Sequence, residues 1–401
     1  MTRLLFVDDE PMVLQGLRRM LRSRRREWDM HFNESAKAAL GVLASERFDL
    51  VVSDMRMPEM SGATLLAHVR RDSPGTARFI LSGFTEEEGI LQAAGPAHQF
   101  MAKPCDPDTL QTAIGQTIGF RRQFGSDAIL EAVVGLESLP ALPQSLARLS
   151  AALGDDEPSS ERVAAILSSD VALAAACLKL TNSSFFAVDS AVATASEVVQ
   201  VLGTGTLAAL AEDAGVFRAC PADSPVLGLI EALGQRSSRC ARLAFAIAEE
   251  FGLPSRAAGR VWCAALFAEV GRLALMDLRP VLYGSLDPRS GLDDLLGFEA
   301  DGLETDQAEV GAALLGLWGF APEVAELVRH LDRPESEAFQ KADGGAIIWI
   351  ARQLLSPVAP SVAADFGGGA SVTRTLAGLG GAEAPARLRA LADALDTDPA
   401  P

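Results

Sequence analysis

The chain has 401 residues, enough for two or three domains with separate cores, and its composition (49% apolar, 22% charged) is that of a soluble globular protein. A formal net charge of −18 argues against nucleic-acid binding and against docking on an anionic membrane, since both need a positive field. No signal-peptide core precedes Asp8, no uncharged run approaches the ~20 residues of a membrane span, and the five cysteines include no CxxC pair, so a cytoplasmic protein with reduced thiols is expected.

Residues 1–120 alternate between short apolar runs and helical patterns. Apolar runs at 4–7, 49–53, 78–81 and 99–102, with a weaker one at 30–33, predict five strands. Pro11 suits the first position of a helix carrying Leu14, Leu17 and Leu21 at helical spacing. Further helices are predicted over 35–46, 63–71, 85–94 and 107–120. Five strands alternating with five helices imply a doubly wound parallel sheet covered on both faces.

Such sheets bind ligands beyond the carboxyl ends of their strands. Asp8, Asp9, Asp54, Ser82 and Lys103 stand at those ends. Carboxylates packed together repel unless a cation joins them, and Mg²⁺ is the hard divalent ion that prefers such oxygens. Each residue alone could simply terminate a strand; all of them doing so by chance is a poor account.

The segments Leu5-Phe6-Val7-Asp8-Asp9-Glu10-Pro11, Ser53-Asp54-Met55-Arg56-Met57-Pro58, Leu81-Ser82-Gly83 and Lys103-Pro104 resemble the two-component receiver family. The resemblance implies a flavodoxin-like strand order. It makes Asp54 the phosphoacceptor, with Asp8, Asp9, Asp54 and the Arg56 carbonyl holding Mg²⁺. It implies that Lys103 pairs with the phosphoryl group, and that Ser82 and the aromatic Phe100 act as the switch. The implied upstream partner is a sensor histidine kinase or a phosphotransfer protein. Arg18, Arg19, Arg22, Arg24, Arg25 and Arg26 crowd the first helix and its loop. A solvated face accounts for them, and a docking surface for an acidic partner, the kinase by resemblance, is the functional alternative.

From about Gly125 strand-like runs vanish and Ala/Leu-rich helices are predicted. They cover 126–134, 143–153, 160–168, 171–180, 195–202, 206–219, 225–251 (with Gly228 and Gly234 suggesting a break), 255–277 and 307–318. Leu139-Pro140-Ala141-Leu142-Pro143, Ser168 to Leu173, Thr181-Asn182-Ser183-Ser184-Phe185-Phe186, Val201-Leu202-Gly203 and Ala308 to Ala312 resemble the HDOD family, a degenerate relative of HD metal phosphohydrolases. HD catalysis needs imidazoles and carboxylates around one or two metal ions. By that resemblance the ligand positions here hold Arg236, Ala268, Glu269 and Gln307, and His330 is the domain's only histidine. Asn182-Ser183-Ser184 reads as a helix-ending turn. Gly203 to Thr206 lacks the Lys of a P-loop and reads as a helix start. Trp262, Trp318 and Trp349 read as core.

The expected organisation is a receiver over 1–122, a helical linker over 123–135 and an all-α HDOD domain over 136–335. Residues 336–401 then supply a helix (343–355) completing that domain and a Gly/Ala/Pro-rich tail with flexible joints and a short amphipathic helix over 384–395. The expected function is that of a phosphorelay response regulator whose output domain acts on a downstream signalling protein without catalysis, homodimerisation being left open. The alternatives are a receiver-controlled cyclic-dinucleotide phosphodiesterase and a non-hydrolysing nucleotide sensor.

Overall fold

Five strands form one parallel sheet in the order β2-β1-β3-β4-β5: β1 Thr2–Val7, β2 Trp28–Asn33, β3 Leu50–Asp54, β4 Ala77–Ser82 and β5 Gln99–Ala102. The computed structural model describes residues 1–83, 96–121, 127–182, 193–212, 216–303, 305–341, 344–355, 369–379 and 381–397. β3, β4 and β5 are buried along their whole length, as strands covered on both faces must be. β2 lies at the sheet edge and buries only Trp28 fully, which explains its faint sequence signal and its start two residues before the predicted run. Helices Pro11–Met20, Ala36–Leu43, Gly62–Asp72 and Pro107–Arg121 accompany the sheet. The helix expected over 85–94 lies outside the described residues.

The helix Asp127–Gly135 leads into a region dominated by helices. Asp170 organises its entry. One carboxylate oxygen caps the helix Val171–Thr181 through Ala172 and Leu173, and the other accepts the Leu142 N–H at 3.0 Å. This binds the Pro140–Pro143 turn to the helix across 28 residues of sequence. Pro140–Ala141 also pairs in parallel with Arg218–Ala219, a two-strand ladder that the all-helical expectation did not include.

Other expectations are corrected here. Leu227–Glu250 is a single helix, and Gly228 lies inside it where Pro288 packs close. The stretch expected as one helix over 255–277 is two, Ser255–Leu266 and Val270–Leu278, separated by Phe267 to Glu269. No Gly or Pro marks that break. Just past it, within the second helix, Gly271 meets the helix Gln307–Leu317 so closely that a Cβ there would lie 1.8 Å from the Gln307 carbonyl oxygen. Helices Leu292–Gly302 and Pro322–His330 were not anticipated. In the tail, the helix expected over 384–395 is present as Ala384–Thr397, and Gly369–Gly378 is a further, unexpected one. The helices Gly369–Gly378 and Ala384–Thr397 bury Val372, Ala384 and Leu388 in the helical core, because their apolar stripes find partners there. Among the described residues no single helix is long and apolar enough to cross a membrane. All five cysteines are free.

The two regions meet along β5 and the helix Pro107–Arg121. The connector is anchored where the buried His98 ring contacts the Val134 carbonyl at 2.9 Å, and where Arg70 holds the Glu137 carboxylate at 2.5 and 2.6 Å.

Candidate functional site

The carboxyl ends of β1, β3 and β5 bring three charged side chains together. Lys103, just past β5, directs its ammonium to Asp8 at 2.6 Å and also pairs with Asp54. Asp8 follows β1 and is 1% exposed; Asp54 closes β3 and is 7% exposed. Their positions come from the strand register, which aligns Val7 with Ser53 and Asp54 with Leu81. Backbone groups then orient the carboxylates: Glu10 N–H donates to Asp8 at 3.0 Å and Arg56 N–H to Asp54 at 2.7 Å.

Gly62 is a site residue that sequence reading missed. It opens the helix after β3, and a Cβ there would lie 1.9 Å from the Asp54 carbonyl oxygen, so only glycine permits this approach. The Ser61-Gly62 pair after the Asp54 loop was the available signal.

Burial raises the Asp54 carboxyl above its usual range, and the nearby Asp8 charge adds to this, while Lys103 and the Arg56 N–H oppose it. The site therefore holds two carboxylates in poor solvent with one ammonium between them. All its other donors are hard oxygens, which suits a divalent cation such as Mg²⁺. Asp9, half-buried, is not drawn into a closed set: among the described residues no group of three or more His, Cys, Asp or Glu side chains converges as a metal cage. Ser82 ends β4, is buried, and packs beside the same edge, with Lys103 N–H donating to its carbonyl at 2.7 Å. Phe100 is 1% exposed, at the seam between the two regions. In the arginine cluster, Arg18 stacks over Phe32, whereas Arg24 pairs with Glu27 and lies over Trp28; Arg19, Arg22, Arg25 and Arg26 are exposed.

The four positions singled out in the helical region also converge. Arg236 grips Glu269 with two bonds of 2.7 and 2.6 Å, and the Gln307 amide reaches the Ala268 carbonyl at 3.4 Å. Around them lies a buried ionic network. Arg272 donates to Glu269 at 2.5 Å and to Glu299 at 2.6 and 2.9 Å, Tyr283 donates to Glu299 at 2.9 Å, and Arg352 pairs with Asp332 at 2.8 Å. Burial pushes the Glu269 carboxyl up, but the bond from Arg236 and the charges of Arg236, Arg272 and Arg352 outweigh it and hold the group at about 2. The same carboxylates keep Arg272 firmly protonated. Fixed guanidinium charges thus satisfy the acids that cluster here. Sequence reading missed Arg272, Glu299, Asp332 and Arg352; only the i,i+3 spacing of Glu269 and Arg272 was a local hint. His330 sits apart, facing Glu326 at 3.4 Å.

Comparison with known proteins follows this division. Residues 4–115 match the response regulator receiver domain family and residues 139–334 match the HDOD domain family. The chain is 37% identical to the transcriptional regulatory protein GlrR of Escherichia coli over 119 residues, 29% of this chain and 26% of that one. It is 32% identical to the hydrogenase transcriptional regulatory protein HoxA of Bradyrhizobium diazoefficiens over 121 residues, 30% of this chain and 24% of that one. The chain thus spans about a quarter of the length of these curated relatives. A crystal structure of the signal receiver domain of an HD domain-containing protein from Pseudomonas fluorescens is 32% identical, covering 31% of this chain and 98% of its own, with a TM-score of 0.29. The chain is a response-regulator family member in which a receiver domain is followed by an HDOD domain.

Proposed function

We propose that Asp54 accepts a phosphoryl group with the help of Mg²⁺, and that the HDOD domain relays the change to a protein partner without catalysing a reaction. The observation that carries this reading is the Lys103 ammonium held between the buried Asp8 and Asp54 carboxylates. Phosphoryl transfer to a carboxylate is chiefly a matter of positioning and charge neutralisation. Asp8, Asp9, Asp54 and the Arg56 carbonyl would hold Mg²⁺, which supplies charge neutralisation at the acceptor when bound. Lys103 supplies a fixed positive charge, and Ser82 a hydroxyl at the same strand edge. Adding roughly two negative charges to Asp54 gives these groups a new partner, which is how a two-state surface is biased. The phosphodonor would be a sensor histidine kinase or a phosphotransfer protein.

The non-catalytic reading of the output domain rests on the ion pairs that occupy Arg236, Glu269 and Arg272, where a hydrolase needs open metal ligands. Incubation with Mg²⁺ and acetyl phosphate should add one phosphoryl mass to the wild type and none to Asp54→Asn. Equal masses for the two proteins would remove the phosphoacceptor assignment. Turnover of a cyclic dinucleotide by the metal-supplemented full chain would replace the relay reading with an enzymatic one.

A further inference from the structure

A cavity of about 500 Å³ opens at the seam between the domains. Phe100, Asp108 and Gln116 line it from the receiver side, and Lys179, Trp318 and Phe320 from the helical side. The volume lies within the roughly 300–1,000 Å³ of small-molecule sites. Its lining includes an unusual cation. Lys179, in the last turn of Val171–Thr181, is only 4% exposed, yet among the described residues no carboxylate lies within ion-pair distance of it. Its Nζ makes one long hydrogen bond, 3.3 Å to the Glu137 carbonyl, and stands 5.5 Å from the centre of the Trp318 ring. Glu137, whose charge favours the ammonium, is already engaged by Arg70.

We propose that this seam cavity binds a small organic monocarboxylate, with Lys179 as the anchoring cation and Trp318, Phe320 and Phe100 as the walls for its apolar body. An ammonium has three donors, and this one uses a single long bond, so it can still take up an anion. Burying such a charge without a partner is costly, and a carboxylate in the cavity removes that cost. The charge count selects the class. Among the described residues the cavity is lined by one cation, Lys179, and one acid, Asp108, which suits a single negative charge better than a phosphate dianion.

Lys179 also gives the site a pH signature. Burial lowers its pKa to about 7, with Arg78 contributing and Glu137 opposing; His98 lies in the same cluster and is held neutral by burial. A bound carboxylate favours the ammonium, so binding takes up a proton above neutrality and weakens as pH rises.

The test is thermal unfolding of the full chain at constant ionic strength with sodium benzoate, sodium acetate or inorganic phosphate. Benzoate is expected to raise Tm most, with the shift shrinking as pH goes from about 6 to about 9. Lys179→Met fills the same space without the charge and is expected to fold with no benzoate shift. Calorimetry of wild type with benzoate near pH 8, in two buffers of different ionisation enthalpy, is expected to show proton uptake. No benzoate shift in wild type, an equal shift in Lys179→Met, a larger response to phosphate, or binding without proton uptake would each overturn the proposal. Asp54→Asn is expected to keep the benzoate shift, which separates this site from the phosphoacceptor reading.

Discussion

Gln99, the first residue of β5, donates its side-chain amide to the carbonyls of Gly316 at 3.2 Å and Leu317 at 3.1 Å, the last two residues of the helix Gln307–Leu317. One domain thereby caps a helix of the other. The helix ends in a Schellman-type turn: Gly319 has φ of 79°, Phe320 N–H bonds to Leu315, and Gly319 N–H to Gly316. The Gln99 side chain packs against Gly319, so any larger residue there meets both a strained backbone and the receiver. Gln99 and Lys103 lie at opposite ends of one short strand run, about 13 Å apart along the chain. At its far end the same helix places Gln307 against Asp332 and Ala268.

Replacing Gln99 by Ala takes a donor from two helix-end carbonyls: Gly316 keeps the Gly319 N–H, but Leu317 loses the Gln99 amide. The expected cost is about 1–3 kcal/mol, concentrated at the domain seam. Hydrogen exchange should report it as faster exchange at the Gly319 and Phe320 amides, with amides of the central strands β1 and β3 unchanged. A uniform change across both domains would mean that Gln99 acts on global stability and not on the seam.

Gly271→Ala should be severely destabilising. The added Cβ would fall 1.8 Å from the Gln307 carbonyl oxygen and 2.6 Å from the Gly311 nitrogen, both backbone atoms of the packed helix Gln307–Leu317. Overpacking of this kind costs typically ~1–3 kcal/mol and more where backbone must move. Denaturant unfolding measures it directly, and Gly234→Ala, where nothing lies within 4 Å of the added carbon, is the matched control expected to be near neutral or stabilising.

The Glu269 network sets an acid limit on stability. Its carboxyl is held at about 2 in the folded protein against an ordinary value of 4.5. A depressed acid contributes stability above its unfolded pKa and loses it as pH falls through the folded value, so the loss runs from about pH 4.5 down to about 2. Glu269→Gln should remove that part of the pH dependence. At neutral pH it should also cost stability, because Arg236 and Arg272 both lose the Glu269 charge, although the buried Arg272 keeps its pair with Glu299. Unfolding free energies of both proteins between about pH 7 and pH 3 distinguish this from a simple packing defect, which would give parallel curves.

Asp54→Asn should stabilise the resting fold slightly or leave it unchanged. Asn removes the repulsion between Asp8 and Asp54 but also one partner of Lys103. The variant should lose the Mg²⁺-dependent gain in Tm on adding beryllofluoride. At 100 times the dissociation constant the underlying stabilisation of the wild type is about 2.7 kcal/mol in unfolding free energy. An unchanged beryllofluoride response in Asp54→Asn would place the anion elsewhere.

The sequence by itself determined the alternating strands and helices of the first domain, the residues at their carboxyl ends, and the helical character of the second. These are short-range properties: continuous apolar runs, period-3.6 burial and strand-ending polar residues are written locally. It also marked Arg236, Ala268, Glu269 and Gln307 as one degenerate centre. What fills that centre was decided by tertiary structure, since Glu299, Asp332 and Arg352 come from helices and turns far apart in the chain. The close approach of Gly271 to Gln307, the Gln99 cap and the buried, carboxylate-free Lys179 are of the same kind. Each depends on which distant backbone or charge arrives alongside, and a local pattern cannot encode its neighbour's approach.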